Sequence, residues 1–302
     1  MTFKRIALMG RYSTHTTSNT LERLAAFLGT QSVEIFIEAD TASHVPSLNL
    51  PTVTREALGK TVDLVIVIGG DGSLLNAAHA VVDDHVPVIG VNRGLLGFLT
   101  DISPDNLETA FAAILRGEYV KESRFLLEAS LFVDGKASPI GGALNDVVLY
   151  AGEIAQMIEF EMYINGQFVY SQRSDGLIIA TPTGSTAYAL SAGGPILHSS
   201  LEAIVLVPMF PHTLTSRPIA VSSDAIIELR VARTRASSHP AISCDGQALV
   251  ALAPGATLQI TRKKNTLTLI HPKDYDYYNT LRTKLDWGKP LQNKYFANPS
   301  QD

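Results

Sequence analysis

Four short runs in the N-terminal third are almost wholly apolar and rich in β-branched side chains: residues 5–9, 33–37, 63–68 and 86–91. Near-continuous apolar runs of this length suit strands buried on both faces, because a strand with one wet face alternates apolar and polar positions. Between them apolar residues recur at helical spacing, at Leu21, Leu24, Ala25 and Leu28 and again at Leu74, Leu75, Ala78, Val81 and Val82. Strand alternating with helix predicts an α/β domain around a parallel sheet. A further helix is predicted from Ser103-Pro104, with serine as N-cap, proline at the first helical position, and Leu107, Phe111, Ile114 and Leu115 as its apolar stripe.

From Lys121 onward strand patterns dominate: 125–133, a turn at Asp134-Gly135, 144–150, and 158–164 joined through Asn165-Gly166 to 168–171. Asn-Gly between alternating runs is a strong hairpin signal. Further strand pairs are predicted around 222–224, Asp245-Gly246 and 263–265, so this half reads as a β-rich sandwich or layered sheet. After Pro272 the segment 277–287 is predicted to be helical, and the last dozen residues are polar enough to fray. There is no internal repeat and no long linker, and the pattern changes near 99–120. The expected organisation is an α/β domain over 1–100, a β-rich domain over 101–271, and a C-terminal helix and tail over 272–302.

Composition narrows the class of protein. With 302 residues, 46 % hydrophobic and 18 % charged, the chain can bury a sizeable core and is not intrinsically disordered. Its 24 basic against 29 acidic residues give −5, whereas a chain that binds nucleic acid by phosphate neutralisation carries a basic excess. The single cysteine, Cys244, forms no internal disulfide, and no apolar run approaches the ~20 residues that span a bilayer. The stretch 6–9 is shorter than a secretory h-region of roughly 7–15 residues. A soluble protein of the reducing cytoplasm is expected, without nucleic-acid or membrane partners.

Gly69-Gly70-Asp71-Gly72 follows directly on the apolar run ending at Ile68 and precedes a predicted helix. In open α/β sheets ligands bind beyond the carboxyl ends of strands, where glycines let backbone N–H groups approach phosphate and a helix N-terminus adds a favourable dipole. A tight turn with a helix-capping aspartate fits the same residues. Flanked only by glycines, the Asp71 carboxylate is expected to stand unshielded and open to substrate. Neither a Walker A pattern nor a Gly-x-Gly-x-x-Gly fingerprint is present. Thr181-Pro-Thr-Gly-Ser-Thr-Ala-Tyr188 offers small hydroxyl donors around a glycine, or an ordinary N-capped helix start. Asn145-Asp146 fits ribose hydroxyls or adenine edges, or an Asx turn at a strand end. Arg173 and Asp175, two apart, share one face of a strand and form a surface ion pair or grip a polar ligand. No histidine has metal-ligand spacing; His79 reads as a satisfied helix residue and His212 alone remains a site candidate. Cys244 has no partner that would make it a nucleophile.

Taken in order, Gly69-Gly-Asp-Gly-Ser73, Asn92-Arg-Gly-Leu-Leu-Gly-Phe-Leu-Thr100, Asn145-Asp146, Arg173-Ser-Asp-Gly176, Thr181 to Tyr188, Ser191-Ala-Gly-Gly-Pro195 and Pro211-His-Thr-Leu214 closely resemble the NAD kinases. Gly-Gly-Asp-Gly alone is shared with 6-phosphofructokinases and with diacylglycerol and sphingosine kinases; the Thr-Pro-Thr-Gly-Ser-Thr-Ala-Tyr block with Asn-Asp upstream singles out the NAD kinases. The tail His271-Pro-Lys-Asp-Tyr275 is similar to bacterial cytosolic members. The resemblance implies an α/β domain, then a β-rich domain, then a C-terminal helix returning to the first. It implies transfer of the γ-phosphate of ATP to the adenosine 2′-hydroxyl of NAD, with a divalent cation such as Mg²⁺ whose ligands it does not name, in a homo-oligomer, a dimer or tetramer. On it, Asp71 is the base, and the backbone of Gly69, Gly70 and Gly72 lies near the donor phosphates, with Asp71 and Gly72 also near NAD. Asn145 and Asp146 hold adenosine and ribose. Thr186, Ala187, Tyr188, Ala189, Leu190 and Ser191 line the adenine side, Arg173 and Asp175 lie nearer nicotinamide, and Gln247 touches the dinucleotide.

Two positions depart from the family. Many members have Asn-Glu where this chain has Asn145-Asp146, a carboxylate one methylene shorter. At Gln156 relatives often carry a basic residue that contacts NAD, and glutamine keeps a donor without the charge. A lipid or sugar kinase of the wider group would need an acyl-sized apolar groove or clustered arginines, neither of which the sequence displays. A non-catalytic dinucleotide-binding regulator would use the same pocket without turnover, and formation of NADP from ATP and NAD separates the two.

Overall fold

The computed structural model describes residues 3–10, 15–93, 96–152, 157–231, 240–247, 250–252 and 255–287. Gln156 and the polar C-terminal end therefore lie outside the described residues. Two units separate: the first comprises Met1–Ala77, Val88–Lys121 and Ile270–Asp302, the second Ala78–Pro87 and Glu122–Leu269.

In chain order the first elements are β1 (Arg5–Gly10), α1 (His15–Gly29), β2 (Glu34–Glu38), α2 (Ala39–His44), β3 (Thr52–Val53), α3 (Leu58–Thr61), β4 (Leu64–Ile68), α4 (Asp71–Val81), β5 (Val88–Val91) and α5 (Leu107–Leu115). The four apolar runs are β1, β2, β4 and β5, and they pair in parallel in the order β5-β4-β1-β2-β3. Every residue of β4 is fully buried, as its unbroken apolar run requires. Strands added after β1 lie first on one side of it and then on the other, so the order reverses at β1, where such sheets open a crevice for ligands. Ser103 accepts from the Asp105 N–H at 3.3 Å and opens a 3₁₀ turn, Pro104–Asn106, that leads into α5. The short elements α2, β3 and α3 have too few residues to show a periodicity; α2 starts because the buried Glu38 carboxylate accepts from the Thr41 N–H at 3.0 Å.

The β-rich unit continues with β6 (Tyr119–Val133), β7 (Lys136–Ala143), β8 (Asp146–Tyr150), β9 (Ile158–Ile164), β10 (Gln167–Ser174), β11 (Gly176–Ala180), α6 (Tyr188–Ser191), β12 (Ala203–Met209), β13 (Ile219–Ser222), β14 (Ile227–Val231), β15 (Ala241–Cys244), β16 (Val250–Ala251) and β17 (Thr257–Pro272). One layer has the antiparallel order β13-β12-β11-β8-β15-β16; the other joins β10-β9-β14-β17, with β6 on β17 and β7 on β6. Leu127, Phe160 and Met162 from the second layer meet Val147, Leu149, Ile179 and Leu206 from the first, the interior of a sandwich. At the Asn165-Gly166 hairpin both residues have positive φ, 51° and 76°, as a two-residue primed turn demands. The last helix, α7 (Tyr277–Leu285), is capped by Asp276, buries Leu281 and carries Lys284 over the Phe98 ring at 5.6 Å, all within the first unit.

Two predicted turns are corrected. Residues 222–224 do not close a hairpin, because β13 pairs with β12 while β14 pairs with β9 and β17. Residues 263–265 lie in the middle of β17. Their polarity is met from afar: Lys263 and Asn265 both reach the Asp83 carboxylate, at 2.9 and 3.0 Å, and Arg262 pairs with Glu202 and lies over the Phe125 ring. A polar run with such partners does not need to be a turn.

At the start of β11 a Cβ on Gly176 would overlap the Leu149 carbonyl and the Tyr150 backbone. The neighbouring strand cannot yield without breaking its ladder. Gly176→Ala is therefore expected to cost about 1–3 kcal/mol or more, read as a lower denaturation midpoint or loss of soluble protein.

Candidate functional site

The glycine turn after β4 is built by its own backbone. The Gly69 N–H donates to the Val91 carbonyl at 2.9 Å, and the Gly70 carbonyl accepts from Ser73 and Leu74 to start α4. Gly69 is required by the fold, since a Cβ there would meet Ser73. Gly70 and Gly72 are not: a Cβ on either meets nothing within 4 Å, and neither has a positive φ. Asp71 is the first residue of α4 and half-buried. Its carboxylate is not the unshielded group expected. Oδ2 accepts from the Phe98 N–H and Oδ1 from the Leu99 N–H, both at 3.0 Å, so the side chain neither stands free nor caps its own helix. Gly97 makes this possible, because a Cβ there would overlap Oδ1. A carboxylate oxygen accepts more than one hydrogen bond, so each keeps capacity for a ligand. A cavity of about 290 Å³ lies in the same unit, bounded by Gly10 at the end of β1, Glu38, Asp40 and Arg55, and Ser73 and Asn76 of α4.

In the second unit, every backbone polar group of Leu144, Asn145 and Asp146 is satisfied, and two residues do it. Asp245 accepts from the N–H of Leu144 at 2.8 Å, of Asn145 at 2.8 Å and of Asp146 at 3.1 Å, and its own N–H donates to the Asp146 carbonyl. Thr181 donates through Oγ1 to the Leu144 carbonyl and through N–H to that of Asn145, at 2.5 and 2.9 Å. Thr181 Oγ1 also accepts from the Gly184 N–H, and a Cβ on Gly184 would overlap the Asn145 backbone. The Thr-Pro-Thr-Gly turn thus needs its glycine in order to lie against Asn-Asp. The buried Arg124, absent from the sequence reading, braces the turn with a bond from Nη1 to Thr183 Oγ1 at 3.2 Å and pairs with Glu122.

Asn145 and Asp146 line a cavity of about 490 Å³ with Ala187 and Tyr188. Val148, Tyr150 and Met209 add an apolar wall, and Ser243, Asp245 and Gly246 complete it. These last six were not singled out from sequence; Asp245-Gly246 read only as a turn. The volume and mixed lining suit a small organic ligand with a flat apolar part and a few polar groups. Burial pushes the Asp146 carboxyl up to about 7, helped by the negative Asp245 beside it. Among the described residues none donates to that carboxyl, which is left to a ligand. Cys244, buried beside the same carboxylates, has its thiol pushed up to about 11, so it is no nucleophile.

The remaining sequence candidates do not line this cavity. Ala189 is fully buried in an apolar cluster with Val148, Ile178 and Leu197 and does not line the cavity, nor do Thr186, Leu190 and Ser191. Arg173 is exposed on β10; Asp175 joins the sheet through its backbone to Ala151 and Met209, and the two form no ion pair. Gln247 and His212 are exposed. His79 is satisfied, as expected, by Asp245 at 2.8 Å.

Two family models cover most of the chain: the ATP-NAD kinase N-terminal domain matches residues 6–119 and the ATP-NAD kinase C-terminal domain residues 144–272. The NAD kinase of Chromohalobacter salexigens is 53 % identical over 96 % of this chain and 98 % of its own, and that of Ectopseudomonas mendocina 52 % over the same shares. Among solved structures, yeast NADH kinase complexed with NADH shares the fold, with a TM-score of 0.87 at 23 % identity over 98 % of this chain and 91 % of that one. The NAD kinase from Archaeoglobus fulgidus in complex with ATP gives a TM-score of 0.71 at 26 % identity over 92 % of this chain and 99 % of that one. With both halves matched and relatives more than half identical over nearly the full length, the chain belongs to the NAD kinase family, a kinase with ATP and NAD as its substrates.

Proposed function

We propose that Asp71 is the general base that takes the proton of the adenosine 2′-hydroxyl of NAD as the γ-phosphate of ATP is transferred, giving NADP. One observation carries this reading: the Asp71 carboxylate is oriented by two backbone N–H groups and sits between two glycines that the fold does not require. Phosphoryl transfer depends on alignment and on neutralising charge, so a fixed carboxylate and open backbone donors are suitable equipment. In the same reading Gly69, Gly70 and Gly72 meet the donor phosphates, and the crevice at the β1 switch point, with Glu38 and Asp40 at its rim, takes the rest of the nucleotide. Asn145 and Asp146 hold the adenosine and ribose of NAD, with Ala187 and Tyr188 beside the base; Arg173, Asp175 and Gln247 serve its outer parts. The first unit is then the donor domain and the second the dinucleotide domain, the boundary falling after Lys121 rather than at residue 100, with Ala78–Pro87 belonging to the second.

A divalent cation, Mg²⁺ in this reading, would supply charge neutralisation for the phosphates of ATP. Among the described residues no group of three or more His, Cys, Asp or Glu side chains could hold a metal ion. A homo-oligomer is supported by large apolar side chains left in water on the second unit, Phe210 77 % and Leu214 90 % exposed. Among the described residues no helix is long and apolar enough to cross a membrane, which agrees with a cytoplasmic kinase.

Asp71→Asn tests the base. Asparagine keeps the shape but loses basicity and turns an amide NH2 toward one of the two backbone N–H donors, so stability is expected to fall by about 1–3 kcal/mol while kcat falls a hundredfold or more. Turnover close to wild type would remove Asp71 from the mechanism.

Gly72→Ala tests the glycine turn. The added methyl meets no neighbour and alanine is the better helix former, by about 0.5–1 kcal/mol. Stability is therefore expected to hold or rise while kcat/KM for ATP drops; unimpaired ATP kinetics would contradict phosphate contact there.

The raised Asp146 carboxyl has a stability consequence. The folded protein keeps a proton that the unfolded chain releases above its ordinary value of 3.8, so this contribution is complete below about pH 4 and lost as pH rises through about 7. The stability of wild type relative to Asp146→Asn is expected to decline by about 1–4 kcal/mol from pH 5 to 8, measured by denaturant titration. A difference that stays flat across that range would show that burial does not hold the proton.

A further inference from the structure

We propose that Asp245 and His79 are positioning residues for the reaction: the Asp245 carboxylate gathers the backbone of residues 144–146, and the His79 imidazole locks that carboxylate, so that the Asn145 and Asp146 side chains face the dinucleotide. The inference rests on the reading that Asn145 and Asp146 bind NAD.

The Asp245 side chain is fully buried and accepts four hydrogen bonds. Oδ1 takes the N–H groups of Asn145 and Asp146, and Oδ2 takes the N–H of Leu144 and the His79 Nε2–H, the last at 2.8 Å. A carboxylate only accepts, so His79 carries its proton on Nε2 in whichever form is present. Three successive N–H groups converging on one anion form a concave nest whose orientation follows the anion. Asp245 itself has a left-handed backbone, φ 51°, and is followed by Gly246 at φ 68°. An aspartate tolerates that conformation, and the four charge-assisted bonds hold it there. The carboxylate cannot touch substrate, since protein covers it entirely; it acts by fixing the residues that do. His79 is the one member of the network that can be altered gently: it stands near the end of α4, its ring is 22 % exposed, and it makes a single bond to the carboxylate. Without it Oδ2 loses one of its two donors, and only the three backbone N–H groups orient the carboxylate. An error of about 1 Å in the placement of binding groups is costly in alignment-dependent reactions.

The test compares His79→Ala, His79→Gln and Asp146→Ala in the full chain, with KM for NAD, KM for ATP, kcat and melting temperature measured for each. His79→Ala is expected to raise KM for NAD roughly tenfold while KM for ATP stays within about twofold. Glutamine offers an amide N–H to Oδ2 and is expected to restore most of the loss. An unchanged KM for NAD in His79→Ala, with Asp146→Ala impaired, overturns the positioning role and leaves the NAD reading standing. If Asp146→Ala also leaves NAD kinetics unchanged, both fall. A His79→Ala loss that moves both KM values and the melting temperature together, without rescue by glutamine, makes the pair structural only and equally overturns the proposal.

Discussion

A strand buried on both faces can offer chemistry only at its ends. That constraint orders this molecule, because the strands next to its candidate residues are nearly dry along their whole length: β4 and β11 are fully buried, and β8 is buried through Leu149. Gly69 to Gly72 follow β4, Asn145 precedes β8 and Asp146 opens it, and Thr181 to Thr186 follow β11. Each set of polar residues marks the point where a ladder stops and its backbone groups must find other partners. The partners are the side chains just described, so the hydrogen bonds that terminate the strands also aim the site.

Much of this was legible in the sequence because it is local. Apolar runs bounded by glycine gave the parallel strands, Asn-Gly gave a hairpin, and Ser-Pro gave a helix start, each within a few residues. What escaped is what depends on partners far along the chain. Asp71 looks unshielded between glycines, yet its oxygens are engaged by Phe98 and Leu99, 27 and 28 residues away. Residues 263–265 look like a turn because Asp83, which satisfies them, is some 180 residues distant. Asp245 looks like a turn residue for the same reason: nothing near it reveals that three N–H groups about 100 positions earlier converge on it. Periodicity reports burial; it carries no information on which distant donor completes a buried acceptor.

Two carboxylates so close together in a buried place divide their labour by environment. The Asp245 carboxylate is surrounded by donors, while Asp146 faces the cavity without a described donor, and burial, with Asp245 beside it, pushes its carboxyl up to about 7.

The glycines fall into two kinds with different histories open to them. Gly176 and Gly184 are pressed against backbone, so any drift there is punished as soon as the chain tries to fold. Gly70 and Gly72 face empty space with ordinary backbone angles, and a population selected only for folded, soluble protein would lose them freely. If phosphate contact is what retains them, as proposed, a lineage that kept the fold but abandoned phosphate transfer would erode first at those two positions, leaving an intact scaffold with side chains grown into the space above its first turn.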